Sequence, residues 1–93
     1  MATALSDADI TQKLSDLSGW ERDGGSITKT WKVKGFSDAL LLANAIGHLA
    51  NSKNHHPDLE IFGYNNLKVT ITTHSEDAIT DNDFALAQAI ESL

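Results

Sequence analysis

The sequence predicts an α+β domain: a four-stranded antiparallel sheet with three helices on one face, in the order α-β-β-α-β-β-α. Two observations carry this. Segments of alternating polarity come in two pairs, residues 20–23 with 27–34 and 59–64 with 67–73, each joined by a few residues, as antiparallel hairpins require. Three stretches with apolar residues at helical spacing lie before, between and after those pairs, so helices laid on one face of the sheet would share a core with it.

In chain order, residues 1–5 read as a frayed start. Ser6 caps the first helix, and Asp7 and Asp9 stand in a first turn where acidic groups meet the positive end of the helix dipole. Ile10, Leu14 and Leu17 recur at helical spacing, and this helix ends near Ser18-Gly19. Gly24-Gly25 supplies the turn of the first hairpin. Along the strand that follows, Ile27, Lys29, Trp31 and Val33 face one way and Thr28, Thr30, Lys32 and Lys34 the other, wetter way.

The second helix opens at Phe36-Ser37-Asp38 with Ser37 as its cap, and over 39–50 it is apolar nearly all round. Leu42, Ala45, Ile46 and Leu49 form one stripe, which Leu40, Leu41 and Ala43 widen. Such a helix in a small domain needs a second surface to bury against. Gly47 costs about 1 kcal/mol relative to alanine in a helix interior and permits close backbone approach. The helix is therefore expected to serve both as core and as subunit interface. Asn65-Asn66 turns the second hairpin. On its second strand Leu67, Val69, Ile71 and Thr73 share one face, and Lys68, Thr70, Thr72 and His74 the other, which aims His74 at the open face of the sheet. Thr80-Asp81-Asn82-Asp83 resembles a capping box with aspartate in the fourth place, and Ala85, Leu86, Ala89, Ile90 and Leu93 give the last helix its apolar stripe.

The 93 residues fit a single domain, 1–93, of ordinary globular composition, 41% hydrophobic and 22% charged. A formal charge of −6 with no basic stripe argues against direct nucleic-acid binding and against anionic lipid. No apolar run approaches the ~20 residues that span a bilayer, and the start lacks the layout of a signal peptide. The chain has no cysteine, which excludes disulfides, thiolate metal sites and thiol nucleophiles, and a cytoplasmic location is expected. Trp20 and Trp31 are assigned to core or hairpin packing rather than base stacking.

Three of the four histidines, His55, His56 and His74, bracket the second hairpin. Pro57 disfavours helical geometry in His56, so His-His-Pro stands where a helix hands over to a strand, and the hairpin should return His74 to the same end. Imidazoles gathered there can give and take protons near neutrality. Spacing alone also allows a polar helix terminus with a surface His74, or a three-imidazole zinc site with an open position. Adjacent residues rarely aim both rings at one ion, and no carboxylate must orient them. Asp83 has a structural job in the capping box, Asp58 starts a strand, and His48 reads as an interface or surface residue.

Taken together, His55-His56-Pro57, Tyr64-Asn65, the strand Val69-Thr70-Ile71, the closing Thr73-His74 and the helix opening over 80–87 resemble the pterin-4a-carbinolamine dehydratases. In animals these are also dimerisation cofactors of a homeodomain transcription factor. The first half follows more loosely, through Trp20, Trp31 and Phe36. The resemblance implies the same fold and a hydro-lyase reaction: 4a-hydroxytetrahydrobiopterin, the 4a-carbinolamine, loses water to give quinonoid dihydropterin, recycling the cofactor of an aromatic amino-acid hydroxylase. It implies His55 and His74 as the acid/base pair and His56, Pro57 and Asp83 as substrate-binding residues. No metal and no bound cofactor are implied, the pterin being the substrate, and the protein would be a homodimer or homotetramer through the 38–52 helix. The alternative is a non-catalytic scaffold on the same fold, either a transcriptional coactivator or an assembly factor for the carbon-fixing carboxylase. Three positions depart from the resemblance: many members carry glutamate where Ser52 stands, an aromatic residue where Leu59 stands and glycine where Ala78 stands.

Overall fold

The computed structural model of the chain describes residues 3–93. Its elements follow the expected order: α1 (Asp7–Leu14), β1 (Glu21–Asp23), β2 (Ser26–Lys32), α2 (Phe36–Lys53), β3 (Asp58–Phe62), β4 (Asn66–Ile71) and α3 (Asp81–Glu91). Of the start expected to fray, Met1 and Ala2 lie outside the described residues, and Leu5 is tied down by its N–H on the Ile79 carbonyl at 2.9 Å. Ser6 caps α1 as expected, accepting the Asp9 N–H at 3.1 Å.

The two hairpins join through their second strands, giving the antiparallel order β1-β2-β4-β3 with β1 and β3 at the edges. The register sets Ile27 opposite Ile71, Lys29 opposite Val69 and Trp31 opposite Leu67, and on the other side of β4 it sets Leu59 opposite Val69. Because side chains alternate across a sheet, this places the apolar set on one face. Ile27, Leu67, Val69 and Ile71 are fully buried there, packed with Ile10, Leu17, Ile46, Phe84, Leu86 and Ile90. Each such side chain contributes about 1.5–3 kcal/mol relative to an exposed one.

Lys29 is the polar member of that face. Its stem lies within the sheet's covered side while Nζ donates to Ser18 O at 3.1 Å and Glu91 Oε2 at 2.8 Å and sits 4.9 Å from the Trp31 ring. Trp20 Nε1 donates to the same Glu91 oxygen at 3.1 Å, and the two indoles meet edge to face at 5.7 Å. These contacts hold the end of α3 on the first hairpin, so both tryptophans pack as expected.

Several boundaries differ from the sequence reading. The N-cap of α2 is Gly35, not Ser37, and it makes no side-chain capping bond: the helix takes Phe36 into its first turn and leaves that ring exposed. α1 stops at Leu14, and a turn carries the chain to Gly19, whose φ of 86° is the left-handed geometry glycine tolerates. The second hairpin turns at Gly63-Tyr64-Asn65 rather than Asn65-Asn66. Gly63 and Tyr64 carry positive φ, and Asn66 already pairs with Phe62.

Facing inward, α2 presents Ala39, Ile46 and Ala50, with Leu42, Ala43 and Leu49 partly buried beside them, while Leu40 and Leu41 stay exposed. The inward face of α3 is Asp83, Phe84, Leu86, Ala87 and Ile90. Ala85 and Leu93, expected on the apolar stripe, are outside. Among the described residues no helix is long and apolar enough to cross a membrane.

Candidate active site

The end of α2 creates the site. Asn54 stops the helix in left-handed geometry (φ 52°, ψ 40°), and the His55 N–H reaches back to Ala50 O at 3.2 Å. This is a Schellman-type ending in which asparagine takes the place glycine usually fills. Pro57 then holds the chain extended, and β3 begins at Asp58. His55 and His56 are therefore the step from helix to strand, as the sequence implied.

His55 turns to α3. Its Nε2 lies 2.6 Å from Asp83 Oδ1; Asp83 is 0% exposed and the imidazole 16%. The other carboxylate oxygen accepts the Thr80 N–H at 2.8 Å and the Thr73 hydroxyl at 2.9 Å. The Thr73 and Thr80 hydroxyls are 2.7 Å apart, and the Asn82 N–H donates to Thr80 Oγ1 at 3.2 Å. The capping box is thus present, and its aspartate does more than cap: it joins the first turn of α3 to the end of β4 and the end of α2. A buried carboxylate requires this degree of satisfaction, and the N-terminus of α3 favours its charge. Among the described residues no buried side-chain nitrogen or oxygen lacks a partner. On its outer side His55 lines a hollow of about 310 Å³ with Lys53, Asn54, Asn82 and Ala85.

His56 turns elsewhere. Its Nε2 is 2.9 Å from Asn51 Oδ1 in an exposed contact. With Pro57, Leu59, Gly47, His48 and Asn51 it lines a second hollow, of about 390 Å³, beside α2. His48, read as an interface or surface residue, is exposed and contributes to this wall. A volume of this size suits a small planar ligand. His74 stands beyond β4 as the first residue of an exposed turn, its carbonyl accepting the Asp77 N–H at 3.2 Å. Thr73 before it is buried and bridges to Ala78, so strand parity persists to Thr73.

The neighbouring imidazoles of His55 and His56 therefore do not share one hydrogen-bond partner. Adjacent side chains leave the chain towards different partners, and among the described residues no three His, Asp or Glu side chains form a set able to hold one metal ion. What the fold brings together is His55, Asp83 and Thr73, the last being the chain neighbour of His74. Asp83, expected among the substrate-binding residues, has no surface open to a ligand, because both oxygens are occupied inside the protein. Ser52, where a glutamate was noted in similar proteins, bonds the Leu49 carbonyl of its own helix at 2.7 Å.

Sequence reasoning gave Thr73, Thr80 and Asn51 no part in the site. The pairing of Thr80 with Asp83 was visible as a capping box; nothing in the spacing marked Thr73 as its third member.

A family model described as pterin 4 alpha carbinolamine dehydratase matches residues 3–93. A protein of Trichormus variabilis, provisionally named a pterin-4-alpha-carbinolamine dehydratase, is 42% identical over 93 residues, covering 100% of this chain and 99% of its own length. The mitochondrial pterin-4-alpha-carbinolamine dehydratase 2 of Arabidopsis thaliana is 34% identical over 97% of this chain, which spans 50% of that protein. Among solved structures, a transcriptional coactivator/pterin dehydratase from Brucella melitensis superposes with a TM-score of 0.89 at 29% identity, covering 97% of both chains. A pterin dehydratase-like RuBisCO assembly factor of the alpha-carboxysome shares the fold, with a TM-score of 0.62 at 14% identity over 78% of this chain and 83% of its own.

Proposed function

The chain belongs to the pterin-4a-carbinolamine dehydratase family, and on that premise we propose that it dehydrates 4a-hydroxytetrahydropterins to quinonoid dihydropterins. The C4a–oxygen bond breaks, the departing hydroxyl takes up a proton to leave as water, and a ring nitrogen gives one up. Two proton transfers in one turnover call for groups that work in both directions near neutrality, which imidazoles do.

The observation that carries this reading is the 2.6 Å bond between a partly exposed imidazole, His55, and a wholly buried carboxylate, Asp83. An imidazole backed in this way keeps its orientation, as an acid/base group must. His55 and His74 form the acid/base pair in this reading, and His56 with Pro57 holds the pterin. Asp83 moves from substrate binding to positioning His55. The pterin enters as substrate, and no further cofactor is called for.

Purified protein added to freshly generated 4a-carbinolamine should accelerate its dehydration. A rate equal to the uncatalysed one would overturn the enzyme reading and leave the scaffold. One observation favours that second reading: Phe36, Leu40 and Leu41 on the outer side of α2 are 53%, 46% and 65% exposed, an apolar face such as a protein partner would cover.

In either reading the chain forms a homodimer or homotetramer through α2. A Cβ placed on Gly47 would meet nothing within 4 Å in this chain, because Gly47 opens onto the hollow that His56 lines. Leu41→Glu should dissociate the oligomer in sedimentation experiments. A monomeric wild-type protein at micromolar concentration would contradict the assembly.

A further inference from the structure

We propose that the hydrogen-bond chain behind His55 fixes its neutral tautomer with the proton on Nε2, so that Nδ1 is the nitrogen that exchanges protons with substrate, with Thr73 and Thr80 as positioning residues. The tautomer follows from the protein alone; the role of Nδ1 in catalysis rests on the dehydratase reading.

The direction of each bond follows by elimination. Backbone N–H groups only donate, so Thr80 N–H gives its hydrogen to Asp83 Oδ2 and Asn82 N–H gives its hydrogen to Thr80 Oγ1. An ionised carboxylate only accepts, and a hydroxyl has a single hydrogen. The Thr73 hydroxyl hydrogen must therefore point at Asp83 Oδ2, 2.9 Å away. The 2.7 Å contact between the two hydroxyls can then be filled only by the Thr80 hydrogen. At the far oxygen, Oδ1 accepts from His55 Nε2. Every hydrogen from the first turn of α3 to the imidazole then points towards Asp83.

A protonated Asp83 would reverse one bond only. On Oδ2 the acid hydrogen would have to point at Thr73 Oγ1, which turns the Thr73 hydroxyl onto Thr80 Oγ1 and leaves the buried Thr80 hydrogen without an acceptor. The hydrogen would sit on Oδ1, and Nε2 would become an acceptor. The two states of the network thus predict opposite tautomers of His55, which makes the assignment testable.

Nδ1 is the free end of this chain. It has no hydrogen-bond partner among the described residues and, since no buried side-chain nitrogen there is unpaired, it is open to solvent. With Nε2–H anchored on Asp83, the ring takes a proton on Nδ1 as a base and returns it from Nδ1 as an acid without rotating.

Long-range proton–nitrogen correlation spectra of uniformly ¹⁵N-labelled protein, recorded where imidazoles are neutral, read the tautomer without substrate. His55, assigned by its disappearance in His55→Gln, should be a single Nε2–H tautomer in the wild type and in Thr73→Ser. Thr73→Val removes the hydroxyl at nearly unchanged shape and should give mixed tautomers with about a tenfold lower kcat, the order of effect of one hydrogen bond to a charged group. Asp83→Asn keeps an oxygen for Thr80 and Thr73 but turns an amide N–H towards Nε2, and should invert the tautomer to Nδ1–H.

An Nδ1–H or mixed signal in the wild type, or an Asp83→Asn protein that keeps Nε2–H, overturns the proposal. A Thr73→Val protein with the wild-type signal removes Thr73 from it. If that variant does not fold, the wild-type and Asp83→Asn spectra still decide. Expected tautomers in a protein without dehydratase activity would defeat the enzyme reading while leaving the tautomer assignment standing.

Discussion

His55 is bonded at 2.6 Å to a carboxylate with no exposed surface, whereas His56, the next residue, is bonded at 2.9 Å to the exposed amide of Asn51. The first contact belongs to a network that ties three elements together and has every buried side-chain polar atom matched. The second is a single exposed bond between a helix end and its own linker. Desolvation separates them. A buried donor that loses its acceptor retains the full cost of leaving water, while an exposed one recovers water. One imidazole is thereby fixed in orientation and the other is free to adjust, which fits proton transfer in the first case and ligand contact in the second.

The largest effect that tests this contrast is on stability. Asp83→Ala leaves the Thr80 N–H, the Thr73 hydroxyl and His55 Nε2 without their acceptor in or near the core. The expected loss is about 3 kcal/mol, or a Tm lower by roughly 12 °C or more for a chain of this size. Asn51→Ala, at the exposed contact, should cost less than about 0.5 kcal/mol. Urea unfolding of both variants at equal protein concentration measures the difference. Equal losses would mean that the two contacts are energetically alike and that the contrast is only geometric.

Catalysis should separate the same residues in another way. His55→Ala and His74→Ala are expected to lower kcat on the order of 10²-fold, the low end for a general acid or base. His56→Ala should raise KM about tenfold with little change in kcat, because an interaction made equally in the bound and transition states shows in KM alone. A kcat loss at His56 as large as that at His55 would erase the division of roles. An unchanged kcat in His74→Ala would take His74 out of the pair and leave its partner to be sought elsewhere.

The sequence made the architecture legible because its signals are periodic. Alternation in β2 and β4 set both faces correctly, including Lys29 on the apolar side, and Ser6 and the Thr80–Asp83 box marked two helix starts. The phase of α3 was harder to read. Its inward face includes a carboxylate, so a pattern built on hydrophobicity slid by one position, admitting Ala85 and omitting Asp83, Phe84 and Ala87. A buried charge is invisible to such a pattern until its partners are known, and those partners come from residues 55, 73 and 80, which only the folded chain brings together. The same limit applies to the three histidines. Spacing placed them near one end of the sheet, but the direction of each ring depends on the left-handed stop at Asn54 and the turn after Thr73.

The smallest effect concerns which of the two hollows holds the pterin. Leu59 is 37% exposed and lines the hollow of His56 and Pro57, with its strand at the sheet edge, so a larger side chain there has room to lie against the surface. Leu59→Trp would supply a flat aromatic wall. Stacking of that kind is worth about 0.5–1.5 kcal/mol beyond the area it covers, so KM should fall roughly two- to tenfold. The gain should appear in KM and leave kcat unchanged, because the wall touches the bound ring as much before the reaction as during it. Stability should stay within about 0.5 kcal/mol, since the position is not in the core. An unchanged KM would place the ligand outside the His56 hollow and favour the one beside His55 and Asn82. A raised KM with intact folding would mean that the pterin already occupies the space the indole fills.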